Sequence, residues 1–153
     1  MSLSASHTIT VASFLPYLEL PSAPDGLGVS LRRRGREATV LVQVHGPTCP
    51  DCRRYLSELA TAAGDLASWD GRVVAIVPGS LDEASAVRAE LRLPFAVLSD
   101  AVGRSPLADG TAVVVADRYG HVYFVTETGA GHALPTPREL EEWLTYLATQ
   151  CPE

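Results

Sequence analysis

The chain of 153 residues carries 46% apolar and 20% charged residues, enough for one domain with one hydrophobic core that buries roughly 70% of the surface an unfolded chain exposes. Its formal charge of −6 at pH 7 lacks the basic footprint of a nucleic-acid binder and is repelled by an acidic membrane surface, so neither partner is expected. All twelve basic residues are arginine, and lysine and asparagine are absent, a bias that points to a GC-rich bacterial source.

At the N-terminus, "MSLSASHTITVASFLPYLEL" has no positive leader region, and Pro16 and Glu19 break its apolar stretch. It reads as neither a signal peptide nor a membrane span, which makes the cytoplasm the expected location. Residues 1–13 are expected to be a tail and 14–153 a single domain. "RRRGR" at 32–36 reads as a solvated turn, diluted at once by Glu37.

Leu27–Leu31 and Ala38–His45 are predicted strands, the second a continuous apolar run broken only by Gln43, as for a central strand covered on both faces. A helix is predicted from Pro50, with Leu56, Leu59, Ala60, Ala63 and Leu66 or Ala67 on one face. Arg72–Val77 is a further strand, and Leu81–Leu91 a helix with Leu81, Ala84, Val87 and Leu91 inward. Thr111–Asp117 and "HVYFV" are predicted antiparallel neighbours joined through "DRYG". The closing helix, Pro137–Thr149, is marked by Thr136 as N-cap, Pro137 at the first position and Glu139 in the capping box. This order predicts an α/β fold with a central mixed sheet and helices on both faces.

The chemistry concentrates in "HGPTCPDCRRY", residues 45–55, at the carboxyl end of a predicted strand, where such sheets bind their ligands. Thr48 is the predicted N-cap and Pro50 sits in the first turn. Cys49 therefore lies at a helix N-terminus, where free N–H groups and the helix dipole favour a thiolate. Arg53 and Arg54 add positive potential, and Asp51 opposes it. Cys52, one turn on and more deeply set, is placed to attack a mixed disulfide on Cys49 and close a CxxC disulfide. His45, four residues before Cys49, is a candidate proton acceptor or pKa tuner for it, and an alternative to water for taking the proton of Cys52.

Two other readings stand beside the redox one. Both cysteines can simply pack in a core. A metal site needs two further ligands, and with no second CxxC these must come from His45, His121, His132 or Cys151. Haem attachment is excluded because Arg53 stands where CxxCH needs histidine. The odd cysteine, Cys151, reads as a surface thiol, and His7 and His132 carry no assigned role.

With strand, CxxC and helix in place, the chain resembles the thioredoxin-fold redoxins, in the branch that groups alkyl hydroperoxide reductase-like peroxiredoxins with thioredoxin-like thiol oxidoreductases. "LPYLELPSAPDGLGVSLRRRGREATVLVQVHGPTCPDCRRYLSELA" is similar to that family's N-terminal half, with an opening strand and a short hairpin. "LRLPFAVLSDAVGR" and "TAVVVADRYGHVYFV" are similar to its later loop and hairpin.

The resemblance implies a thioredoxin-like fold with an N-terminal β extension, Cys49 as nucleophile, Cys52 as resolving thiol and no cofactor. It also implies an external thiol reductant, and a disulfide-containing protein, small thiol or peroxide as substrate. The chain departs from the family's patterns at Val42 and Gly46, where peroxiredoxins carry proline and threonine, and at Gln43, where thioredoxins place a buried acid. Thr111 stands where thioredoxins carry the proline that lines the substrate groove. The expected function is a thiol-disulfide oxidoreductase; the alternatives are a peroxiredoxin-like peroxidase on the same thiols and a non-catalytic metal- or partner-binding module.

Overall fold

The computed structural model describes residues 9–107, 110–128 and 134–150. Five strands form the central sheet in the order β5-β4-β3-β6-β7, namely β3 (Ala38–Gln43), β4 (Gly71–Val77), β5 (Ala96–Ser99), β6 (Thr111–Ala116) and β7 (Val122–Thr128). Strands β3, β4 and β5 run parallel, whereas β6 and β7 run antiparallel to their neighbours. Three helices follow the predicted spans closely: α1 (Pro50–Ser68), α2 (Leu81–Leu91) and α3 (Pro137–Ala148). Ahead of them, β1 (Glu19–Pro21) and β2 (Gly28–Ser30) pair as the expected N-terminal hairpin. This mixed sheet with its appended hairpin and helices is a thioredoxin-like fold.

Side-chain alternation along the central strands divides the core in two, as the two-residue period of a strand requires. Val40 and Val42 of β3, Val73, Ala75 and Val77 of β4, and Val113 and Val115 of β6 face one cluster. Leu41, Val74, Ile76, Ala112 and Val114 face the other.

The expectation of helices on both faces is corrected here. Leu56, Leu59 and Leu66 of α1, Ala84 and Val87 of α2, and Leu140 and Leu144 of α3 all enter the first cluster. The second is closed instead by Ile9, Leu15, Leu20, Leu31 and Leu107, from the N-terminal segment, the hairpin region and a loop. The handedness of crossovers explains this arrangement. The β3-α1-β4 and β4-α2-β5 connections step in the same direction across the sheet, and two right-handed crossovers in one direction put both helices on one face.

Two further expectations shift. Ile9 is already buried, and the Ala12 N–H donates to Val122 C=O, so the packed chain begins before Phe14. The "LRLPFAVLSD" segment holds a strand, β5, as well as a loop, because the short apolar run Ala96–Ser99 gains a parallel partner in β4. Arg72 bolts the hairpin to the sheet: its Nε donates to Thr39 Oγ1 at 3.0 Å, and its terminal nitrogen donates to the carbonyls of Ser30 and Leu31 at 3.1 and 2.8 Å. Among the described residues, no helix is long and apolar enough to cross a membrane.

Candidate active site

Strand β3 ends at Gln43, the next two residues, Val44 and His45, lie at the carboxyl edge of the sheet, and Gly46–Thr48 turns the chain into α1. The helix begins at Pro50, as predicted, but its cap is not the predicted one. Its N-cap is Cys49, not Thr48, because Pro50 takes the first helical position and the residue before it must cap. Thr48 is exposed outside the helix.

The Cys49 sulfur accepts the backbone N–H of Cys52 at 3.3 Å. The same geometry opens the other two helices, where Ser80 accepts from the Glu83 N–H and Thr136 from the Glu139 N–H. The C-x-x-C of α1 thus occupies the positions that S-x-x-E and T-x-x-E occupy in capping boxes. An orphan helix donor aimed at sulfur favours negative charge on that sulfur.

Cys52, at the third helical position, is 1% exposed, whereas Cys49 is partly exposed, so Cys52 is the less accessible of the two thiols, as its place on the helix led us to expect. Helical side chains lean toward their own N-terminus, so Cys52 points back at the end of β3. Its sulfur lies 3.4 Å from His45 Nδ1 and 3.9 Å from Thr111 Oγ1. His45 therefore meets Cys52. Burial pushes the Cys52 thiol up, and its hydrogen bond with Cys49 adds to this; a backbone hydrogen bond from His45 and the Thr111 hydroxyl pull the other way but do not reverse it.

The supporting residues act on the loop rather than on sulfur. Arg53 donates to Pro47 C=O at 3.0 Å and pairs with Glu90 of α2, tying the active-site turn to the neighbouring helix. Arg54 pairs with Asp51 at 2.9 Å. Neither guanidinium is directed to Cys49 by a described contact.

Glu90 gave no signal in the sequence, since only the packing of α2 brings it to Arg53. Thr111, expected to line a groove, is only 4% exposed, and its hydroxyl faces Cys52. Gln43 points to the opposite face of the sheet from the cysteines, donating to Gly110 C=O and accepting from the Ser105 hydroxyl. It is therefore not in the position of a proton acceptor for Cys52. Of the other metal candidates, His121 stacks against Phe14 and Tyr123, away from the cysteines, while His7, His132 and Cys151 lie outside the described residues.

Several solved structures share this fold. Mycobacterium tuberculosis AhpC aligns with a TM-score of 0.77 at 18% identity over 93% of this chain and 94% of that one. A peroxiredoxin-like protein from Aquifex aeolicus aligns at 0.76 and 14% identity over 92% and 88%. A Chlorobium tepidum structure provisionally described as the thiol:disulfide interchange protein DsbE aligns at 0.74 and 20% identity over 92% and 99%. At these identities the likeness is one of fold. No curated protein sequence matches the chain. The AhpC/TSA family model matches residues 11–127, which takes in the sheet up to, but not including, the last residue of β7, the cysteine pair and both crossover helices, and the chain therefore belongs to the AhpC/TSA family.

Proposed function

We propose that the protein is a thiol-disulfide oxidoreductase in which Cys49 attacks and Cys52 resolves. The observation that carries this reading is the division of labour between the two sulfurs. One is partly exposed and accepts a helix N–H; the other is buried, its thiol pushed up by burial, and 3.4 Å from an imidazole.

In the first step the Cys49 thiolate attacks a substrate disulfide, one substrate sulfur leaves as a thiolate that takes a proton from solvent, and a mixed disulfide remains. In the second, Cys52 gives its proton to His45 Nδ1 and its sulfur displaces the second substrate thiol, closing Cys49–Cys52. An external thiol reductant, donating two electrons and two protons, reopens the pair. The reducing cytoplasm suits such a cycle, and the substrate is a protein disulfide or a small-molecule disulfide.

His45→Asn tests the reading. It is expected to slow the second step by about 100-fold, the scale of a lost general base, with the first step nearly unchanged. Because the raised Cys52 thiol must lose its proton, the second step in the parent protein is expected to accelerate as pH rises from neutral. Rapid-quench alkylation, which counts mixed and closed disulfides separately, checks both. Equal slowing of the two steps contradicts the assignment.

The family match supports a second reading, in which peroxide oxidises Cys49 to a sulfenic acid that Cys52 captures, releasing water. The residues around Cys49 give it less support. Val42, which replaces the family proline, is fully buried in the helix-side core, and Gly46 offers no hydroxyl where the family threonine stands. Oxidation of Cys49 by peroxide far faster than by a disulfide would favour this second reading.

A further inference from the structure

The dithiol does not stand alone at the sheet edge. One donor atom from each of His45, Cys49 and Cys52 lies within 4.8 Å of the other two, and the Cys52 sulfur is 3.4 Å from His45 Nδ1. With Zn–S distances of about 2.3 Å and Zn–N distances of about 2.0–2.1 Å, a tetrahedral centre has edges of about 3.8 Å between sulfurs and about 3.6 Å between sulfur and nitrogen. The three donors are therefore already close to one face of such a tetrahedron. Rotation about the Cys49 side chain, the most accessible of the two sulfurs, is the adjustment that remains.

We propose that the reduced protein binds one Zn(II) through His45, Cys49 and Cys52, with a fourth position open to solvent. Two thiolates and one imidazole form a ligand set that zinc uses with an exchangeable fourth ligand. The charges also balance: two thiolates neutralise the dication, which suits a site whose one wall is the buried Cys52. Binding releases the two thiol protons.

Oxidation reverses it. When a substrate disulfide takes two electrons from the bound thiolates and two protons from solvent, it leaves as two thiols, the Cys49–Cys52 disulfide forms, and Zn(II) is set free. The site therefore belongs to the dithiol state alone, and zinc competes with disulfide substrates for it. The zinc site rests on the donor geometry, and only its loss on oxidation rests on the proposed dithiol–disulfide cycle.

The test uses the full chain with Cys151→Ser, reduced with a phosphine and titrated with Zn(II) against a chromophoric chelator. One zinc per reduced chain and none per oxidised chain is the expected result. His45→Asn, an exposed substitution, is expected to weaken binding at least about 100-fold, at or above the 10–100-fold that loss of an outer-sphere partner costs. Co(II) in place of zinc is expected to give the intense visible bands of a tetrahedral site with thiolate charge transfer.

Unchanged affinity in His45→Asn would overturn the proposal, since the pair would then be acting as an ordinary dithiol chelator. Weak octahedral cobalt bands, or equal binding by the disulfide form, would overturn it too. A redox titration run with a chelator present is independent of this outcome, so either reading can fail without the other.

Discussion

Cys49→Ser is expected to lower disulfide reduction by at least about 10⁴-fold, the scale on which enzymes lose rate when their nucleophile is removed. The structure separates this loss from any loss of fold. Cys49 is the N-cap of α1, and serine is among the preferred N-cap residues, accepting the same N–H at the third helical position that sulfur accepts now. Helix α1 should therefore start as before, and thermal unfolding should show unchanged or slightly raised stability. Disulfide reduction and melting temperature measured on the same preparation check the pair of expectations. Activity retained within tenfold would remove Cys49 from the nucleophile's role.

Cys52→Ser is expected to abolish multiple turnover while leaving the first attack intact, so that substrate accumulates on the chain as a mixed disulfide. The sulfur that would release it is 1% exposed and reaches only inward, toward Cys49, His45 and Thr111. An incoming substrate therefore meets Cys49 first. Mass spectrometry of the trapped adduct under non-reducing conditions should place one substrate per chain on Cys49. An adduct on Cys52 in the Cys49→Ser variant, formed at a comparable rate, would contradict the assignment of roles. The variant replaces a buried sulfur with a smaller hydroxyl that has Thr111 and His45 within reach, so any loss of stability should be modest.

Much of this was legible in the sequence, and the failures have physical causes. Helix α3 was bounded by a capping box written in local residues, Thr136 with Glu139, and the structure keeps it, whereas α2 was read from its periodicity and its own box, Ser80 with Glu83, emerged only with the structure. The cap of α1 was misread because cysteine is not an ordinary capping residue, so the hydroxyl of Thr48 looked the better acceptor. Strand β5 has only four residues, Ala96–Ser99, and nothing local separates such a run from a loop; its identity comes from pairing with β4.

The side of the sheet on which each helix lies depends on strand order, which periodicity does not contain. Once β5 is known to lie beyond β4, handedness determines the answer. At the site, the types of residue were all visible, but their partners were not. Arg53 found Glu90 across 37 positions of sequence, which no local pattern announces.

The central claim is that Cys49 and Cys52 form a redox couple, and the most direct test is a titration of the chain carrying Cys151→Ser against glutathione buffers, with chelator present and thiols counted by alkylation and mass spectrometry. The expected result is a single two-electron transition between dithiol and Cys49–Cys52 disulfide, with a potential between about −120 and about −270 mV. A pair that stays reduced across the whole range, or that forms only mixed disulfides with glutathione and never closes, would contradict the account.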